Sequence, residues 1–207
     1  MIINNFKLIA PLLPNESDVF CHLQIVCRAK DHKNEKVKDG TVKTYFIRNE
    51  AQLDELMPEI IILCEHYGAR AYINVSPKSF EMLQKLMLTK LASLVYECNI
   101  QNPRRTLNSA AGTLTSKNPV WVVDVDDITM KETLLKWFDD YFKLDPTLPF
   151  YDTREDLYLI GNIPTKQGCH LLVRPFNLQK FSNEFPNVDV HKNSMGTLLY
   201  YPNSISV

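Results

Sequence analysis

Apolar and polar residues alternate in "CHLQIVCRAKD", with Leu23, Ile25 and Cys27 on one side, and "TVKTYFIRN" resumes the alternation after the polar, glycine-containing "HKNEKVKDG". A period of two puts alternate side chains on opposite faces of a strand, so the stretch predicts a hairpin. The rhythm then lengthens. "NEAQLDELMPEIIILCEHYGAR" reads as a helix with Pro58 as a kink or restart and Gly68 as its stop, and "AYINVS" returns to a strand. In "SPKSFEMLQKLMLTKLASLVYEC" the residues Phe80, Leu83, Met87, Leu91, Leu94 and Cys98 recur along one helical face, with Ser76 as cap and Pro77 in the first turn. That stripe is the face of a core helix. Residues 100 to 118, "IQNPRRTLNSAAGTLTSKN", break the pattern and read as a loop.

The pattern beyond that loop gives a compact series of elements. "PVWVVDVD" is a strand, and "TMKETLLKWFDDYF" is a helix opened by a Thr129-x-x-Glu132 capping box. "LYLIGNI" and "CHLLVR" are strands joined by the turn "PTKQG", "NLQKFSNEF" is a short helix, and "VDVHK" is a strand with "TLLYYP" extended after it. The order β-α-β-β-α-β predicts a ferredoxin-like module of the kind found in many RNA-recognition domains. Such a sheet sets its first strand between the third and the fourth and keeps both helices on one face. The fold class expected is α+β, with an N-terminal α/β module over residues 1–118 packed on this second module over residues 119–207.

One strand of that module carries an anomaly. In "WVVDVDD" three aspartates end an apolar run, and Asp124 and Asp126 share strand parity, about 6.6 Å apart along one face. Two carboxylates that close repel unless something positive sits between them. On the expected sheet the third strand brings His170 and the fourth brings Asp189 to the same patch. Asp127, of opposite parity, is placed to cap the following helix or to support the patch from behind.

Composition narrows the classes without choosing among them. The chain has 207 residues, is 45% hydrophobic and 23% charged, and has a formal net charge of −1, as expected of a globular protein with no overall pull toward polyanions. Any polyanion must be held locally. Residues 164 to 180 hold Lys166, His170, Arg174 and Lys180 without an acid, and the loop from 100 to 118 holds Arg104, Arg105 and Lys117, also without one. The five cysteines are widely spaced with no C-x-x-C pair, which predicts reduced, mostly buried thiols in a cytoplasmic protein. The start of the chain makes a poor secretion signal, and no apolar run is long enough to span a bilayer. Trp121 and Trp137 are read as core, and His22, His32, His66 and His191 are given no role.

The aspartate pair of "VVDVDD", the Gly-x-His of "PTKQGCHLLVRPF" and the later "VDVHKNSMGTLLYYP" resemble, in that order, the three motifs of the archaeo-eukaryotic primase superfamily, the primase–polymerases. The resemblance covers about residues 119 to 202. It departs from the family at Gly168, where many members carry serine, and in a short chain that has no room for further zinc, helicase or primer-handling domains. It implies Mg²⁺ or Mn²⁺ held by Asp124, Asp126 and Asp189, since hard oxygen ligands suit these ions. His170 would donate a hydrogen bond to the phosphates of a nucleoside triphosphate, beside Gly168, with Lys166, Arg174 and Lys192 as further phosphate contacts.

The activity implied is metal-dependent transfer of NMP or dNMP to a nucleic-acid 3′ hydroxyl, in the cleft between the modules. A single-stranded DNA or RNA template and replication proteins would be the partners, with no membrane, as in a phage or mobile element. Arg104, Arg105 and Lys117 would contact the nucleic acid. The same residues leave open a phosphodiesterase or nuclease, in which the metal activates water, and a non-catalytic nucleotide or nucleic-acid binding module. A pure interaction protein is a further alternative, and it would leave the three aspartates dispensable.

Overall fold

A computed structural model describes residues 2–32, 38–99, 103–143, 158–193 and 196–202, with the side chains of Pro103 and Arg104 outside the description. Among the described residues the chain is α+β, with six α-helices and two antiparallel sheets. It divides into two units, residues 1–119 with 193–207 and residues 120–192.

The first unit contains β1 (Ile3–Asn4), α1 (Phe6–Ile9), β2 (Val19–Cys27), β3 (Gly40–Ile47), α2 (Glu50–Tyr67), β4 (Arg70–Ser79), α3 (Phe80–Tyr96), α4 (Pro103–Thr113) and β9 (Thr197–Tyr201). Its sheet runs β1-β9-β4-β2-β3. Register gives each face its character. Leu23 pairs with Tyr45 and Ile73, and these residues with Cys21, Ile25, Ile47 and Ala71 are buried on one face. Their alternates are His22, opposite Phe46 and Asn74, and Gln24, opposite Thr44 and Tyr72. Helix α2 contacts β2, β3, β4 and β9 and buries Leu53, Ile60 and Cys64. It runs through Pro58, and Gly68 ends it in the left-handed region at φ 55°, a conformation that favours glycine.

Three expectations in this unit change. The segment expected as a loop is helix α4, because Leu107, Ala110, Ala111 and Leu114 fall at i, i+3, i+4 and i+7 and pack with Phe20 and Leu83. Helix α3 starts at Phe80 with Ser79 as its cap, accepting the Met82 N–H at 3.2 Å, since Lys78 and Ser79 still pair with β2. Strand β9, read as a tail of the second module, is hydrogen-bonded between β1 and β4. Gly196 makes that docking possible, since a Cβ there would lie 1.9 Å from the Ile73 carbonyl oxygen and 2.3 Å from the Asn74 nitrogen.

Cys21, Cys64 and Cys169 are buried, Cys27 is half-buried, Cys98 is exposed, and all five are free. Burial pushes the Cys21 and Cys64 thiols up to about 12, so neither is a thiolate at neutral pH. Burial also lowers His22 to about 4, and the nearby Lys78 charge adds to the effect. A buried neutral histidine leaves the unfolded chain binding more protons between its ordinary value of 6.5 and about 4, so the stability present above pH 6.5 is lost as pH falls through that window. The loss expected is about 3 kcal/mol. Urea unfolding from pH 7 to 4 should show this decline, and His22→Gln should flatten it.

The second unit contains β5 (Trp121–Val125), α5 (Lys131–Lys143), β6 (Leu159–Pro164), β7 (Cys169–Val173), α6 (Leu178–Glu184) and β8 (Asp189–His191). Its sheet runs β6-β7-β5-β8, antiparallel throughout. Val123, Val125, Leu171 and Val173 pack with Leu134, Phe138 and Phe142 of α5 and Phe181 of α6, which places both helices on one face. Trp137 lies among Phe138, Tyr141, Phe176, Phe181 and Phe185, and Trp121 packs edge-on to Phe176, so both tryptophans serve the core as expected. Among the described residues no helix is long and apolar enough to cross a membrane.

Candidate active site on the second sheet

Alternation along β5 sends Val123 and Val125 toward the helices and therefore Val122 and Asp124 to the opposite face. Asp124 sits at the centre of that face, directly opposite His170 of β7 on one side and Asp189 of β8 on the other. Directly opposed residues on antiparallel strands have Cβ atoms about 4.5–5.5 Å apart and point the same way. An imidazole and two carboxylates thus form one row across three strands, from positions as far apart as 124 and 189. His170 Nε2 lies 3.5 Å from Asp124 Oδ1. Asp189 is exposed, His170 is buried, and Asp124 is in between. His191, given no role by the sequence, shares the parity of Asp189 and stands opposite Val122 on the same face.

Asp126 follows one residue after β5 ends and is exposed. Asp127 takes the capping role. Its carboxylate accepts the Thr129 N–H at 2.9 Å and the Thr129 hydroxyl at 2.7 Å, and these bonds hold it below the usual carboxylate range. It thereby replaces the Thr129 cap that the sequence suggested, and a 3₁₀ turn over Ile128–Met130 leads into α5.

The turn before His170 is built around Gly168. Its N–H donates to Thr165 Oγ1 at 3.1 Å, and its carbonyl accepts from Thr165 N–H at 2.9 Å. A Cβ on Gly168 would lie 1.8 Å from the Val125 carbonyl oxygen and 3.2 Å from the Asp126 carbonyl carbon. The glycine is thus what lets β7 close onto the aspartate-bearing end of β5. Serine, the residue of many primase–polymerases at this place, does not fit this backbone.

The cations fall at different distances from the row. Lys166 is exposed in the turn two residues before Gly168. Arg174 lies just past the other end of β7, four residues or about 13 Å from His170. Lys192 places its ammonium 4.8 Å from the centre of the Trp121 ring, a side chain that packs on the helix-facing core. Lys166 and Arg174 each stand four residues from His170, on opposite sides of it, and Lys192 stands three residues after Asp189. Arg105 and Lys117 are exposed in the first unit, on α4 and after it, while the side chain of Arg104 lies outside the described residues.

The donor set suits a hard divalent cation: carboxylate oxygens from Asp124 and Asp189 on adjacent strands, with Asp126 at the strand end. Among the described residues no three His, Cys, Asp or Glu side chains are already gathered as a metal cluster. The backbone places the pair, and the third ligand would come from Asp126. Comparison of the chain with protein-family models, with curated proteins and with solved structures finds no match in any of the three.

Proposed function

We propose that the second unit carries a divalent-metal nucleotide site and that the protein is a nucleotidyltransferase of the primase–polymerase type. The observation that carries this reading is the row His170–Asp124–Asp189, set by register on the face away from the helices. The element order β5-α5-β6-β7-α6-β8 and the strand order β6-β7-β5-β8 support reading the unit as ferredoxin-like, with Asp124, His170 and Asp189 on its first, third and fourth strands and Asp126 one residue past the end of the first.

In this proposal Asp124, Asp189 and Asp126 would hold Mg²⁺ or Mn²⁺, which when bound would supply Lewis-acid activation of the attacking 3′ hydroxyl and positive charge for the triphosphate. His170 donates from its ring to a phosphate oxygen, and Asp124 beside it keeps the ring oriented. Lys166, at the rim of the same turn, adds a charge-assisted contact to the phosphates. The hydroxyl oxygen bonds to the α-phosphorus as the bond to the β-phosphate oxygen breaks, so pyrophosphate leaves.

The protein should incorporate labelled NTPs or dNTPs into oligonucleotides in the presence of Mg²⁺ or Mn²⁺. Asp124→Asn should lower incorporation at least about 100-fold, since even groups that only orient metal ligands cost 10–100-fold when removed. Circular dichroism should show the variant folded. Label lost from an oligonucleotide without incorporation would replace this reading with a metal-dependent phosphodiesterase. Nucleotide-dependent stabilisation with neither reaction would replace it with a binding module.

A further inference from the structure

The first unit contains a cavity of about 420 Å³ lined on its sheet side by His22, Gln24, Tyr72 and Asn74, which are cross-strand partners on β2 and β4. Asn108 on α4 and Asn193 before β9 complete its polar wall. Two side chains are fixed in place. Asn74 accepts the Ser76 N–H at 2.9 Å, and Asn193 donates to the Leu114 carbonyl at 3.2 Å.

His22 is 8% exposed, its ring stacks on Phe46, and its Nε2 has no hydrogen-bond partner. A buried ring nitrogen of this kind costs stability unless something satisfies it. Among the described residues no carboxylate, ammonium or guanidinium lines the cavity. The Lys78 ammonium close to His22 is committed to the Ala111 carbonyl at 2.8 Å.

We propose that this cavity binds an uncharged planar heterocycle presenting a donor and an acceptor on adjacent atoms, the lactam or amidine edge of a pyrimidine or purine ring. Asn74 and Asn193 are held by bonds within the protein, Asn74 also donating to the Asn193 carbonyl at 3.4 Å, and the carboxamides of Gln24 and Asn108 each offer a donor and an acceptor side by side, the complement of such an edge. His22 stays neutral at physiological pH and gives a further in-plane partner at Nε2. Val26 supplies an apolar surface for the ring. With no charged group among the described lining residues, they give an anionic or cationic ligand no counter-charge for its lost hydration. The inference goes beyond the nucleotidyl-transfer reading and does not need the carboxylate row, because the described lining residues all belong to the first unit.

Gly112 provides a clean plug. It lines the cavity, and a Cβ built on it meets nothing within 4 Å, so Gly112→Leu starts a side chain at the cavity wall without a clash at its first carbon. Titration calorimetry of the full chain with uridine, cytidine and adenosine at neutral pH should find saturable binding of at least one, insensitive to added salt. Gly112→Leu and Asn108→Ala should each weaken it about ten-fold or more, roughly the loss of a key contact, with thermal midpoints at or above that of the parent. Asp124→Asn should leave it unchanged, which separates this site from the carboxylate row. The proposal is overturned if none of the three binds at millimolar concentration, if Gly112→Leu binds as well as the parent, or if glucose displaces the nucleoside.

Discussion

Gly168→Ser should destabilise the second unit by about 1–3 kcal/mol or more and remove any activity of the carboxylate row. The new Cβ would meet the Val125 carbonyl oxygen at 1.8 Å and the Val125 carbonyl carbon at 2.9 Å, both backbone atoms that no rotamer change can move. Relief requires β7 to move off β5 at the rungs that pair Cys169 with Val125 and His170 with Asp124. Loss of stability and loss of function therefore arise from one displacement. Urea unfolding read beside nucleotide incorporation checks the prediction. Gly112→Ala is the control, since its Cβ enters open space and the helix should be unchanged or firmer by up to about 1 kcal/mol. A serine tolerated at position 168 with normal stability would show that the β5–β7 register is not the one described.

Lys78→Ala should cost about 3 kcal/mol or more, an unusual loss for a lysine. Lys78 is 1% exposed and donates to the Ala111 carbonyl, one of the last carbonyls of α4, which lack a partner within the helix. Alanine leaves a void where the side chain packed and a buried carbonyl without a donor. Lys78→Met keeps most of the volume and removes the need to bury a charge, so it should recover a large part of the loss. Burial lowers the Lys78 pKa from its ordinary 10.5. The unfolded chain then holds the proton to higher pH than the folded chain does, so the wild-type protein gains stability as pH rises toward 10.5, and Lys78→Met lacks that gain. Denaturant midpoints of the three proteins between neutral pH and pH 10 test both the ranking and the sign.

The elements of the second unit were legible because each is short, bounded by turn residues and regular in period. "WVVDV" is a short valine-rich run of strand length, "PTKQG" is a turn with glycine, and the apolar stripe of α5 has helical spacing, so the elements bearing Asp124, His170 and Asp189 could be ordered before any coordinates. Helix α4 was missed because half of its buried face is alanine. Ala110 and Ala111 carry little hydrophobic signal, yet they let α4 approach Phe20 and Leu83 closely. Strand β9 was recognised as extended but not as a member of the first sheet, since an apolar run of five residues says that it is buried and not which strand it joins. The start of α3 was placed at Ser76 rather than Ser79 because both serines can cap, and the pairing of Lys78 and Ser79 with β2 decides between them. Lys78 itself gave no warning, since a lysine between proline and serine reads as solvated. His22 was passed over for a related reason. Its partners Gln24, Asn74 and Asn108 are distant or unremarkable in sequence and meet only through the β2–β4 register and the packing of α4.

Manganese binding followed by electron paramagnetic resonance tests the central claim most directly, because it reads the carboxylate row without requiring turnover. The wild-type protein should bind Mn²⁺ more tightly when a nucleoside triphosphate is present. Asp124→Asn and Asp189→Asn should each abolish the binding, and His170→Ala should keep the metal and lose the tightening by nucleotide. Equal Mn²⁺ binding by the Asp124→Asn, Asp189→Asn double variant, or no binding by the wild-type protein with nucleotide, would contradict it.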